Sequence, residues 1–110
     1  MMKLAMTPAA AGLLRALLGR AGLDRNRLLL TDFRSTDWRS LTFAGERHRI
    51  DLRIPGPAAG VVAELLTHGL DEAEFSVPGH IVADIAVDGA MVEHPDGAVS
   101  LRVEALTVED

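Results

Sequence analysis

The chain has no cysteine, no tyrosine, one tryptophan and one lysine in 110 residues. Without thiols it forms no disulfide, uses no cysteine nucleophile and holds no cysteine-ligated metal or cluster, which fits a reducing compartment. Arginine outnumbers lysine ten to one, the bias of a GC-rich bacterial genome. No apolar run is long enough to span a bilayer. The opening "MMKLAMTPAAAGLLRALL" mimics a signal peptide, but Pro8 and Arg15 interrupt it. The expectation is a cytoplasmic chain with no membrane contact. The patterns GxSxG, HExxH and the EF-hand loop are all missing, and no cofactor or metal is expected.

What is present is an uneven distribution of charge. Residues 1–53 carry ten basic and five acidic groups (+5), and residues 54–110 carry one and eleven (−10), for the net −5. The two halves either neutralise each other within the fold or pair between subunits.

The length suits a single domain, 1–110, with one core. Thr7-Pro8 is a helix start, Leu13, Leu14, Leu17, Leu18 and Ala21 recur at helical spacing, and Gly22 is a C-cap, so a helix is predicted over 8–21. Three strands then follow at 27–34, 37–43 and 47–54, joined by two-residue turns at Ser35-Thr36 and Gly45-Glu46. These registers put Leu28, Leu30, Leu41, Phe43, His48, Ile50 and Leu52 on one face, with Asp32 opposite Arg39. The other face takes Phe33, Trp38 and Arg53 side by side. Pro57 opens a second helix with Ala58, Val61, Val62, Leu65 and Leu66 as its stripe and Gly69 as its stop. Strands at 74–77, 80–87, 90–93 and 98–108 complete the chain, with Asp88-Gly89 as a hairpin turn and "HPDG" (94–97) as another. In 80–87 the residues Ile81, Ala83, Ile85 and Val87 are predicted to face inward.

The stretches 7–54 and 56–108 resemble each other in "PAAAGLLRALLGRAGLD" and "PAAGVVAELLTHGLD", a pattern of two α-β-β-β units. The predicted class is α+β in two layers: an antiparallel sheet of about six strands with two helices packed on one face.

The arginine and aromatic residues of the open face (Phe33, Trp38, Arg49, Asp51 and Arg53) are the leading candidate, read as a protein interaction surface. They point to a non-enzymatic protein that pairs with a second copy or docks another protein. The alternative is a small-molecule-binding or hydrolytic pocket using His48 as a base with Asp32 and Arg39 around it. A third class, weak nucleic-acid binding through Arg34, Arg39, Arg47, Arg49 and Arg53, is opposed by the acidic half and by the interleaved Asp32, Asp37, Glu46 and Asp51. Asp84 and Glu93 face each other if Asp88-Gly89 is a two-residue turn. With His80 they form the one metal-like grouping, and Arg102 is its plain neutraliser. Glu64 and His68 read as a structural i, i+4 pair.

Overall fold

The computed structural model describes residues 6–22 and 28–110. The signal-like opening before Met6 and the start of the first predicted strand, Arg27, lie outside the described residues, as do Leu23 and Asp24 of the repeat pattern. Among the described residues the architecture is α+β: one antiparallel sheet of five strands and two α-helices. In chain order the elements are α1 (Pro8–Arg20), β1 (Leu29–Arg39), β2 (Ala44–Ile54), α2 (Ala59–Thr67), β3 (His80–Val87), β4 (Val92–Glu93) and β5 (Val99–Glu109), with a short 3-10 turn at Leu70–Glu72. The sheet order is β1-β2-β5-β3, and β4 also pairs with β5. β2 lies along the whole of β5, from Gly45 opposite Val108 to Ile54 opposite Val99. The other edge of β5 is shared by β3 and β4.

The start of α1 is as the sequence implies: Thr7 Oγ1 accepts from the Ala10 N–H at 3.2 Å, and Pro8 occupies the first turn. The same hydroxyl donates to Glu46 Oε1 at 2.7 Å, tying the helix start to β2. The buried cluster joins Leu13 and Leu17 of α1 and Val62, Ala63 and Leu66 of α2 to the sheet. From the sheet come Ile50, Leu52, Ile54, Ile85, Leu101 and Val103. Val61 and Leu65, assigned to the buried stripe of the second helix, are exposed, and Ala59 and Ala63 take their place. Ala58 caps this helix at φ +65°, a left-handed conformation unfavourable for a residue with a Cβ. Ala58→Gly is therefore expected to stabilise the domain by about 0.5–1 kcal/mol, read as a higher midpoint in urea.

The first half differs from its predicted topology. Leu29–Arg39 is one unbroken strand, and Ala44–Ile54 is the next. Ser35-Thr36 and Gly45-Glu46 lie within strands, and the turn is at Ser40–Phe43, where Ser40 N–H donates to the Phe43 carbonyl at 2.9 Å. Ser40 Oγ accepts from the Phe43 N–H at 3.0 Å and thereby does the work of a turn glycine or asparagine. Leu41, assigned inward, is 105 % exposed at this tip, and Phe43 is also exposed. The sheet thus has five strands rather than six: one helix precedes two strands in the first half, and one precedes three in the second.

Residues 74–77 form no strand beyond an isolated Val77–His80 bridge. A bulge between Val82 and Asp84 reverses the alternation of β3: Val82, Ile85 and Val87 join the core, while Ile81 and Ala83 are exposed. The "HPDG" turn and the long last strand form as the sequence implies.

Candidate functional site

Each sheet residue's place follows from the register, because directly opposed residues share a face. On the inner face β1 and β2 set Phe33 opposite Ile50 and Ser35 opposite His48, and β5 adds Ala105 beside His48. On the outer face Asp32 opposes Asp51, Arg34 opposes Arg49, Thr36 opposes Arg47 and Trp38 opposes Gly45. Continuing across, Asp51 meets Arg102, Arg49 meets Glu104 and Arg47 meets Leu106. Asp84 lies beyond Leu106, and Ala86 beyond Glu104.

The predicted cluster of Phe33, Trp38 and Arg53 is therefore not assembled. Phe33 is on the inner face, since the six residues from 33 to 38 form continuous strand and their odd spacing of five puts the two ends on opposite sides. Trp38 and Arg53 share the outer face with Arg49 and Asp51 but stand near opposite ends of β2. Arg53 pairs with Asp96, Arg102 with Asp51 at 2.7 Å, and Arg49 with Asp32 at 3.4 Å. The first two pairs join the basic half of the chain to the acidic half.

The pocket expected from Asp32, Arg39 and His48 does not form. Asp32 points to the outer face, where Arg49 rather than Arg39 is its partner. Arg39 and His48 belong to the inner face, Arg39 at the hairpin end opposite Ala44. His48 is 3 % exposed, and both its ring nitrogens are occupied. Nδ1 is 2.8 Å from Ser35 Oγ and Nε2 is 2.8 Å from Thr107 Oγ1, a hydroxyl buried completely. Burial lowers the pKa of His48, partly opposed by Glu46, whose Oε1 lies 3.9 Å from Nε2, and assisted by the nearby charge of His80. Burial thus favours the neutral ring, and both nitrogens are taken up by hydroxyls and not turned to a substrate. Neither Ser35 nor Thr107 stood out in the sequence, because both depend on strand pairing that alternation does not specify.

The metal-like grouping also disperses. β3 and β4 do not pair, so Asp84 opposes Leu106 while Glu93 opposes Val99. His94 Nε2 bonds Ser100 Oγ at 2.7 Å, and Arg102 serves Asp51 and Asp88. Among the described residues no three histidine or acidic side chains gather in metal-binding geometry. His68 and Glu64 stand 3.7 Å apart, both exposed. No described helix is long and apolar enough to cross a membrane.

The outer face also carries a groove of about 300 Å³ that the sequence pattern does not reveal, lined on one side by Arg34, Thr36, Arg47 and Arg49 and on the other by Asp84 and Glu104. The arginines were visible individually; their grouping needed the β1–β2 register. Comparison with protein-family models and with curated proteins finds no match to this chain.

Proposed function

We propose that this is a small, cytoplasmic, non-enzymatic interaction protein that pairs with a second copy of itself through the arginine and aromatic residues of β1. In this reading both helices pack on one face of the sheet, and the edge of β1 carries the contact. The observation that supports it is the self-complementarity of that edge. Among the described residues no strand lies beyond β1, so eleven extended residues end the sheet. Such an edge is a template for another strand. An antiparallel pairing centred on Thr36 sets Arg34 opposite Trp38 of the partner subunit, Phe33 opposite the partner's Arg39 and Ser35 opposite the partner's Asp37. Each of these pairs occurs twice about the two-fold axis. Neighbouring registers are worse. Centring on Arg34 or Asp37 opposes like charges, centring on Ser35 puts both aromatics on carboxylates, and centring on Phe33 meets the bulge beside Thr31. Each arginine over an aromatic ring contributes about 0.5–1 kcal/mol at an exposed site.

The absence of cysteine makes the test direct. Thr36→Cys places the sole thiol of each chain on the two-fold axis, at a Cα separation of about 4.5–5.5 Å that suits a disulfide. Mild oxidation is expected to cross-link Thr36→Cys nearly completely, and Ala83→Cys on the opposite edge hardly at all. Light scattering is expected to find a dimer at about 50 mM and about 500 mM salt, weakened by Trp38→Ala without loss of the folded far-UV spectrum. A monomeric wild type, or equal cross-linking at both positions, would refute the pairing.

A further inference from the structure

The outer-face groove holds opposed charges that do not satisfy each other. Arg34 sits directly opposite Arg49, with Arg47 two residues along the same strand. Like charges facing each other across strands are destabilising unless an anion lies between them. Among the described residues no carboxylate lies within 4.0 Å of Arg34 or Arg47, and no cation within 4.0 Å of Asp84 or Glu104. Arg49 Nε is enclosed with no acceptor. The basic wall comes from β1 and β2 and the acidic wall from β5 and β3, and Ala86, with only a methyl group, leaves space beside them.

We infer that this groove is a binding site for an acidic α-amino acid, an aspartate or glutamate zwitterion. Its two carboxylates match the guanidiniums of Arg34 and Arg47 and the Nε–H of Arg49, whose Nη2 already serves Asp32. Its ammonium group matches Glu104 and Asp84, and Thr36 adds a hydroxyl at the rim. With Asp32 on Arg49 at 3.4 Å the lining is neutral as a whole, so the match is one of position, cations on one wall and carboxylates on the other, and not of net charge. A volume of about 300 Å³ lies at the lower end of small-ligand pockets. Arg34 and Thr36 also lie on the proposed dimer edge, whereas Arg47, Glu104 and Asp84 do not, so Glu104→Gln reads the groove separately from the dimer.

The test is titration of the ¹⁵N-labelled chain with L-glutamate, L-aspartate, L-glutamine and glutarate, each to about 10 mM, which reaches weak millimolar sites. The expected result is saturable shifts with L-glutamate or L-aspartate, confined to the groove and including the Arg49 Nε–H. L-Glutamine and glutarate should each bind at least about tenfold more weakly. Arg34→Gln and Glu104→Gln, both at exposed positions, should each weaken the acidic amino acid by a similar factor. Glutarate binding as tightly as L-glutamate would show that the acidic wall is not used and would overturn the proposal. Glutamine binding equally well would do the same, as would unchanged affinity in Glu104→Gln or the absence of saturable shifts.

Discussion

Gly45→Ala is expected to cost about 3 kcal/mol of stability, a penalty in the range of severe overpacking. A Cβ at this position would lie 2.0 Å from the Thr107 carbonyl oxygen and 3.0 Å from Val108 Cα. Both are β5 backbone, with no flexible side-chain end to move aside. Gly45 is paired with Val108 on one side and Trp38 on the other, so relief means parting β2 from β5 at that end of the sheet. The parting would also strain the hydrogen bond between Thr107 and His48. For a domain of this size each kcal/mol shifts Tm by about 4–8 °C, so a fall of more than about 10 °C is expected in a thermal melt followed by circular dichroism. An unchanged Tm would show that the strands have room for the methyl group.

The second large effect concerns His48. Its pKa is lowered in the folded chain, so the unfolded chain binds the proton more readily. The stability it contributes is fully present above about pH 6.5, the unfolded value, and is lost as pH falls below it. The urea midpoint should therefore drop between about pH 7 and pH 5, the window in which histidine titrates. His48→Gln removes the titration and should flatten this part of the curve. His48→Ala also leaves the Ser35 and Thr107 hydroxyls without their partner and removes a buried ring, for a loss of about 2–4 kcal/mol. Asp96 acts in a separate window. Its carboxyl is held below the usual range by the Ala98 N–H and by Arg53, so its contribution is lost only at more acid pH. A pH profile for His48→Gln parallel to that of the wild type would refute the assignment.

The parts legible in the sequence are those that local chemistry dictates. Thr7-Pro8 announces α1 because a hydroxyl cap and a proline are useful only there. The alternation from Val99 onward announces β5, and His48, Ile50 and Leu52 announce the buried side of β2. The first hairpin is not legible in the sequence because its turn, Ser40–Phe43, contains no glycine, asparagine or proline, while two small polar residues at 35 and 36 imitate one. Gly45 has the composition of a turn residue, but it lies within β2, where its lack of a side chain serves close approach to Thr107. From that one displacement came the false neighbours Phe33 and Trp38 and the false pair Asp32 and Arg39. The groove was illegible for another reason. Arg49 and Glu104 are far apart in the chain, and only the pairing of β2 with β5 brings them together.

That pairing also sets the order in which the molecule can assemble during synthesis. β5 follows every other strand in the chain, yet it is the strand that both β2 and the β3–β4 segment require. Its contacts with β2 span from 45 residues (Ile54 to Val99) to 63 residues (Gly45 to Val108). Loops this long make the decisive contacts late and slow. As the chain is made, α1, α2 and the β1–β2 hairpin precede β5, so the edge of β2 that β5 covers is unpaired until then. Until Val99–Glu109 is made, β2 and the β3–β4 segment have no common strand to join them, and an unpaired strand edge is open to pairing with neighbouring chains.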